Sequence, residues 1–486
     1  MKQQAFNPYL PSYEYVPDGE PYVFGERVYV YGSHDRFGAG MFCLNDYVCW
    51  SASVQDLSNW RYEGVIYQKK QDPKNRLGLR LLFAPDMVQG ADGRFYLYYA
   101  FDFMGIMGVA VCDTPYGKFQ FLGHIHYSNG RIWGRNKGDA FPFDPGVLLD
   151  DDGRVYLYSG FYTPVPAVVT GLVSLEYKGG YVLELESDMV TIKKPQKLLF
   201  PKEGQGSFSE HEFFEASSIR KYDGKYYFVY SSRHNHELCY AVSDKPTEGF
   251  QYGGTLISNG DLFMDGNMDA NQATNYIGNN HGGMLKLDEK YYIFYHRHTN
   301  QTSYSRQTCA EPLIMNEDGS FHQAEMTSCG LNGGPLNGSG RYEARIACNL
   351  WSKEGTGRYD IKRPNKVYET HPYFTQDGDD RNDWPGQYIA NMRDGAVAGF
   401  KYFQMSDEDQ ITVEIRGKAN GEILVSEEKS FAKINARIPV YLNDEKEKSL
   451  SGELKIEDGK KALFFKFCGT GKLDFISFIL GKKGER

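Results

Sequence analysis

The first 300 or so residues repeat one hydrophobic rhythm five times, a short polar turn followed by apolar and aromatic residues at alternate positions. The copies are Gly25-Glu-Arg-Val-Tyr-Val-Tyr31, Asp92-Gly-Arg-Phe-Tyr-Leu-Tyr98, Asp152-Gly-Arg-Val-Tyr-Leu-Tyr158, Asp223-Gly-Lys-Tyr-Tyr-Phe-Val229 and Asp288-Glu-Lys-Tyr-Tyr-Ile-Phe294. An Asp-Gly type turn leading into period-two alternation predicts a β-hairpin. The shared tyrosines stand at 29, 96, 156, 227 and 292, spacings of 60 to 71 residues. A period that long, with one strong hairpin and two weaker strands per unit, predicts four-stranded blades of a five-bladed β-propeller over residues 1–330.

Beyond the fifth copy the pattern changes. Gly330-Leu-Asn-Gly-Gly-Pro-Leu-Asn-Gly-Ser-Gly340 is rich in Gly and Asn and reads as a linker over 331–340. Residues 341–486 then alternate short strand candidates with Gly and Asn/Asp turns, for example 410–416, 421–426, 436–441, 462–467 and 473–478. That spacing predicts a second all-β domain, a jelly-roll-like β-sandwich. It shows no acidic or histidine cluster at catalytic spacing, so its expected role is binding or stabilising. Trp351, Trp384 and Tyr388 are its aromatic candidates for a sugar platform, with core packing the competing reading.

A chain of 486 residues suits two domains. A net charge of −9 without a basic run argues against nucleic acid as a partner. The 15% aromatic content, 37 of the residues being Tyr, suits both β packing and stacking on sugar rings. The 8 cysteines follow no metal or disulfide spacing and read as reduced thiols. The chain opens without an apolar signal region and shows no stretch resembling a membrane span, so a cytoplasmic location is expected and no membrane partner.

A second regularity overlies the first. Ten to twelve residues before each repeated tyrosine stands an ionisable side chain: Asp18, Asp86, Asp144, Glu215 and His281. Equivalent positions in radially repeated blades converge on the axis, so these five are expected to ring one opening. Crowded carboxylates raise one another's pKa, an arrangement that chemistry can use. The competing reading is that they cap the turns that enter each strand.

These motifs resemble glycoside hydrolase family 43, five-bladed propeller enzymes that cleave arabinose and xylose linkages. The matching stretches are Phe83-Ala-Pro-Asp86, Phe143-Asp-Pro145 with Asp150-Asp-Asp-Gly153, Phe214-Glu-Ala-Ser217, Asn280-His-Gly-Gly283 and Tyr295-His-Arg-His298. More loosely, Asn391-Met-Arg-Asp-Gly395 running into Ala396–Lys401, and Gly469-Thr-Gly-Lys-Leu-Asp-Phe475, resemble a family 6 carbohydrate-binding module.

The family resemblance implies Asp18 as general base, Asp144 as the acid that tunes pKa and orients substrate, and Glu215 as general acid. It implies Asp86, His281 and Arg306 as substrate-binding residues. It requires no cofactor but admits a calcium at His281. Matching the family's Ala-Asp-Pro on Pro21 nominates Glu20 as base instead. Counting back from Tyr29 nominates Asp18, at 11 residues against 9 for Glu20. In a strand both would point to one face. Phe213 and Phe214 supply an apolar wall that would raise the pKa of Glu215. His34, Asp35 and Trp50 are candidates for the cavity rim or for a solvated loop.

The activity so implied is inverting release of arabinose or xylose from arabino- and xylo-oligosaccharides, as α-L-arabinofuranosidase, β-xylosidase or both. An inverting glycoside phosphorylase on a related propeller would replace the base by a basic phosphate pocket. A non-catalytic carbohydrate-binding propeller would bind the same sugars without turnover.

Overall fold

Each repeated hairpin is the centre of a blade, because alternation along its second strand gives that strand an apolar face toward each neighbouring blade. The computed structural model describes residues 3–201, 203, 206–356, 369–381 and 386–484. Blade 1 contains β1 (Glu20–Phe24), β2 (Arg27–Tyr31), β3 (Tyr47–Ser53) and β4 (Asp56–Tyr67). Blade 2 contains β5 (Leu82–Gln89), β6 (Phe95–Phe101), β7 (Met107–Cys112) and β8 (Gln120–His124). Blade 3 joins the short β9 (His126–Tyr127) to β10 (Gly146–Leu149), β11 (Val155–Gly160), β12 (Gly179–Leu185) and β13 (Thr191–Pro201). Blade 4 holds β14 (Phe213–Tyr222), β15 (Lys225–Ser232), β16 (Leu238–Ser243) and β17 (Gln251–Ile257). Blade 5 holds β18 (Met284–Leu287), β19 (Lys290–His298) and β20 (Arg306–Leu313).

The repeated tyrosines lie on β2, β6, β11, β15 and β19, and all five are buried. The innermost strands are β1, β5, β10, β14 and β18. At the axis the first and last meet through a parallel bridge between Gly19 and Gly282. A Cβ on Gly282 would lie 1.9 Å from the Phe294 carbonyl oxygen, so only glycine allows that approach. The ring is also latched by Asn7, whose side chain bonds both the N–H and the carbonyl of Ala310 (each 3.0 Å) and the Glu311 carboxylate (2.8 Å).

The C-terminal part is a β domain, a nine-stranded sheet around one core that includes Phe400, Phe465, Phe475 and Phe478. Its strands are β21 (Leu336–Asn337), β22 (Gly340–Glu343), β23 (Asn349–Trp351), β24 (Tyr373–Gln376) and β25 (Gln387–Met392), then β26 (Val397–Met405), β27 (Gln410–Ser426), β28 (Ala436–Glu453) and β29 (Gly459–Gly481). The last three are far longer than the sequence pattern suggests. The breaks expected at 417–420 and 468–472 are instead continuous strand, and Gly421 of β27 faces Gly469 of β29. A Cβ on Gly421 would lie 2.1 Å from the Cys468 carbonyl oxygen, so this glycine marks close strand approach, not a turn. The stretch expected to be a linker is packed, with Leu331 and Leu336 buried and β21 paired with β26. Trp384 lies outside the described residues.

Candidate active site

At the head of the inner strands the backbone leaves regular geometry. Asp18 (φ 58°) precedes β1 and Asp144 (φ 43°) precedes β10, both left-handed. Glu215 sits at an irregularity in β14, where Phe213 pairs with Ser232 and Glu215 with Ser231, and Ala216 is left-handed (φ 70°). Asp tolerates this region better than most residues, but each such position costs about 1–2 kcal/mol. The consequence is that these side chains turn into the funnel.

Asp18, Asp144, Glu215, His281 and Arg306 line one cavity of about 330 Å³. Its apolar wall includes Phe42, Phe83, Phe103, Phe143, Phe161 and Phe214. Such a volume is at the small end of ligand pockets.

Asp18 is the anion of the set. Arg306 Nη1 donates to its Oδ1 at 2.9 Å, and His296 Nδ1 lies 3.2 Å from the same oxygen. Burial alone would raise its pKa, but Arg306 above all, with His281, outweighs that and holds the carboxyl far below the usual range. Arg306 is itself fixed by Asp35, which receives its Nε at 2.8 Å, its Nη2 at 3.1 Å and its backbone N–H at 3.1 Å. His296 Nε2 faces the Asn279 carbonyl at 2.7 Å, and a carbonyl only accepts. That nitrogen therefore carries the proton.

Glu215 has the opposite environment. Burial first, and then the negative charge of Asp144, push its pKa well above the ordinary value. Phe214, packed edge-on against Phe161 and His236, supplies the apolar wall, whereas Phe213 is buried behind it. Asp144 Oδ2 accepts the Ala216 N–H at 3.0 Å, which ties it to the strand that carries Glu215. Burial and the charge of Asp18 raise Asp144 to about 6.

His281 bridges acids, with Nδ1 3.6 Å from Asp144 Oδ2 and Nε2 3.7 Å from Glu20 Oε1. Burial opposes its charge, but Glu20, Asp144 and Asp18 raise it to about 9. An imidazolium has no lone pair to offer a metal, and calcium prefers a shell of oxygens. In the chain as it stands this side chain is a buried cation between two acids.

Two further expectations change. Asp86 does not line the cavity. Its carboxylate accepts from Tyr22 Oη at 2.5 Å, Val147 N at 2.6 Å and Met87 N at 2.8 Å, so it pins blades 1, 2 and 3 together. A register shift between Phe83 and Asp86 separates the two ends of this motif, and it is Phe83 and Ala84 that reach the cavity. Glu20 is also turned away, paired with Arg220 Nη2 at 2.6 Å and accepting from Ser218 Oγ at 3.0 Å. The left-handed turn at Asp18 breaks the alternation that would have put both acids on one face.

His34 and Trp50 are buried on Glu14 and form no rim. Asp35, expected at the rim or in a solvated loop, is instead buried behind the cavity as the anchor of Arg306, and His296, His236 and the phenylalanines at 42, 103 and 161 carry no role in the sequence reading. Only His296, inside Tyr295–His298, stood within a motif; the phenylalanines lie outside the blade repeats.

A family model described as glycosyl hydrolases family 43 matches residues 14–321. A xylosidase/arabinosidase of Thermoclostridium stercorarium is 47% identical over 99% of this chain and 99% of its own. A xylosidase/arabinosidase of Bacteroides ovatus is 29% identical, over 59% of this chain and 87% of its own. Among solved structures, a family 43 arabinoxylan arabinofuranohydrolase from Bacillus subtilis, in complex with cellotetraose, covers 98% of this chain and 97% of that chain. Its TM-score is 0.51 at 20% identity, a likeness of fold. A family 43 β-xylosidase/α-arabinofuranosidase from a compost metagenome, with xylotriose and in calcium-free form, has a TM-score of 0.51 at 25% identity over 66% of this chain and 98% of that chain.

Proposed function

The chain belongs to glycosyl hydrolases family 43, and from that premise we propose that it releases xylose or arabinose from the ends of xylo- and arabino-oligosaccharides with inversion. The observation that carries the reading is the opposite electrostatics of two carboxyls in one small cavity, Asp18 held ionised and Glu215 held protonated. Inverting hydrolysis needs that pair. Asp18 takes a proton from water as the water oxygen attacks the anomeric carbon. Glu215 gives its proton to the departing glycosidic oxygen from the other side. Asp144 keeps Glu215 protonated and is placed to accept from a sugar hydroxyl. Arg306 keeps Asp18 ionised and aimed.

Arg306 is already saturated by Asp18 and Asp35, which leaves little basic surface for phosphate and disfavours a phosphorylase. For the second domain, buttressing is better supported than sugar binding through Tyr388, because Arg416 covers that ring at 4.3 Å.

The test pairs nitrophenyl α-L-arabinofuranoside with nitrophenyl β-D-xyloside and follows the first product anomer by proton NMR. Turnover of at least one, with the inverted anomer appearing first, is expected and should not depend on phosphate. A retained anomer would remove Asp18 from the role of base.

A further inference from the structure

In blade 4, His211, Glu237 and Cys239 bring three ligand atoms of different chemistry together. Glu237, just ahead of β16, and Cys239 within it are two residues apart and lie on one face of the chain. His211 comes from the turn ahead of β14, its ring stacked at 4.3 Å on Tyr252 of β17. His211 Nδ1 is 3.4 Å from Glu237 Oε1, and Cys239 Sγ is 3.9 Å from that oxygen and 4.0 Å from Nδ1.

These separations can be tested against a metal. A point equidistant from the three atoms lies about 2.2 Å from each, within the roughly 2.0–2.3 Å of zinc bonds to N, O and S. The burial is also suited to a cation. Glu237 and Cys239 are wholly buried, and the Glu237 carboxylate faces His211 and the Ser232 hydroxyl. A buried carboxylate is costly unless a positive charge meets it. The His211 side chain is 21% exposed, which leaves a path for the ion and for a water as fourth ligand.

We propose that His211, Glu237 and Cys239 form a binding site for a borderline-soft divalent transition ion of the zinc class. A thiolate, an imidazole and one carboxylate favour such an ion over calcium or magnesium, which prefer all-oxygen shells. Binding requires Cys239 to release its proton to solvent, since the thiolate and not the thiol is the metal ligand. The site is separate from the catalytic carboxylates but coupled to them by chain. Glu237 follows His236, which lines the active cavity, so the ion would anchor that part of its wall.

The test uses the full chain freed of metal by a chelator and then titrated with Zn²⁺ and, separately, Co²⁺. One Zn²⁺ per chain is expected at this site, and the Co²⁺ form should show thiolate-to-cobalt charge-transfer absorption. Cys239→Ser should abolish that band, and His211→Asn, at a part-exposed position, should weaken Zn²⁺ binding about 10- to 100-fold or more. Circular dichroism of both variants verifies that they are folded. A wild-type chain without the band overturns the proposal. So does a folded Cys239→Ser that keeps it, or a folded His211→Asn that binds Zn²⁺ as tightly as the wild type.

Discussion

Asp18 and Glu215 share one cavity, yet a guanidinium stands against the first and an apolar wall with a neighbouring acid against the second. Replacing Asp18 by Asn should lower turnover about 10²–10⁴-fold on every substrate, the scale of a lost general base. Glu20→Gln should act on stability instead, since breaking its buried pair with Arg220 leaves an unmatched charge worth about 3–5 kcal/mol. Denaturant melts and initial rates on the two variants separate these outcomes, and the reverse ranking would transfer the base to Glu20. Glu215→Ala should impair natural oligosaccharides far more than nitrophenyl glycosides, whose leaving group needs no proton. Equal losses on both would show that Glu215 is not the donor. The pH profile carries a third expectation. Glu215 must be protonated to act, so activity falls as pH rises through its raised pKa. Asp144→Asn removes a negative charge that disfavours the Glu215 anion, so the anion forms at lower pH and the alkaline limb should move acidward. Burial, the larger cause of the raised value, persists in the variant, so the limb should not return to that of an exposed glutamate.

At the scale of the element, the inner strands do the positioning through their irregularities. Left-handed residues at Asp18, Asp144 and Ala216 aim side chains that an even pleat would send elsewhere. The Gly19–Gly282 bridge holds β1 and β18 at the axis and sits directly beside His281. Gly282→Ala would drive a methyl into the Phe294 carbonyl, and backbone must move to relieve it. The expected cost is at least the roughly 1–3 kcal/mol of an overpacked core, together with reduced turnover as His281 shifts. A melting curve and an assay suffice; an unchanged melting temperature would mean that the bridge has slack.

At the scale of the whole molecule, the second domain braces the wall of the catalytic cavity. Asp380 receives the Phe37 N–H at 2.8 Å and Asn45 Nδ2 at 3.3 Å, on the loop that carries Asp35, Phe42 and Cys43. Arg381 reaches Glu14 at 2.6 Å, and Arg297 of β19 donates to the Ala347 carbonyl at 3.0 Å with its guanidinium 3.7 Å from the Phe374 ring centre. Buried Lys401 meets Asp261 at 3.1 Å and Glu325 at 2.8 Å across the same boundary. A chain ending after Gly330 should therefore be unstable and weakly active although it keeps every catalytic carboxyl. The finer test is Asp380→Ala in the full chain, expected to raise KM more than it lowers kcat because it loosens the Phe42 loop and leaves Asp18 and Glu215 in place. Hydrolysis by residues 341–486 alone would refute the assignment of the chemistry to the propeller.

The five hairpins, the all-β class and the placing of Asp18, Asp144, Glu215 and His281 at inner-strand heads were legible because each rests on a local signal, a turn and an alternation repeated at a regular interval. Which acids face the cavity was not. The left-handed turn at Asp18 separates it from Glu20, and a register shift in β5 buries Asp86 between blades. The partners that set protonation are equally distant along the chain, Arg306 lying 288 residues from Asp18 and 271 from Asp35. Glycines that read as turns proved to be points of contact between 17- and 23-residue strands, because a missing Cβ looks the same in sequence whether it frees a turn or admits a neighbour. Local periodicity determined the blades by itself; the direction and charge of each side chain were decided by neighbours that only closure of the propeller brings together.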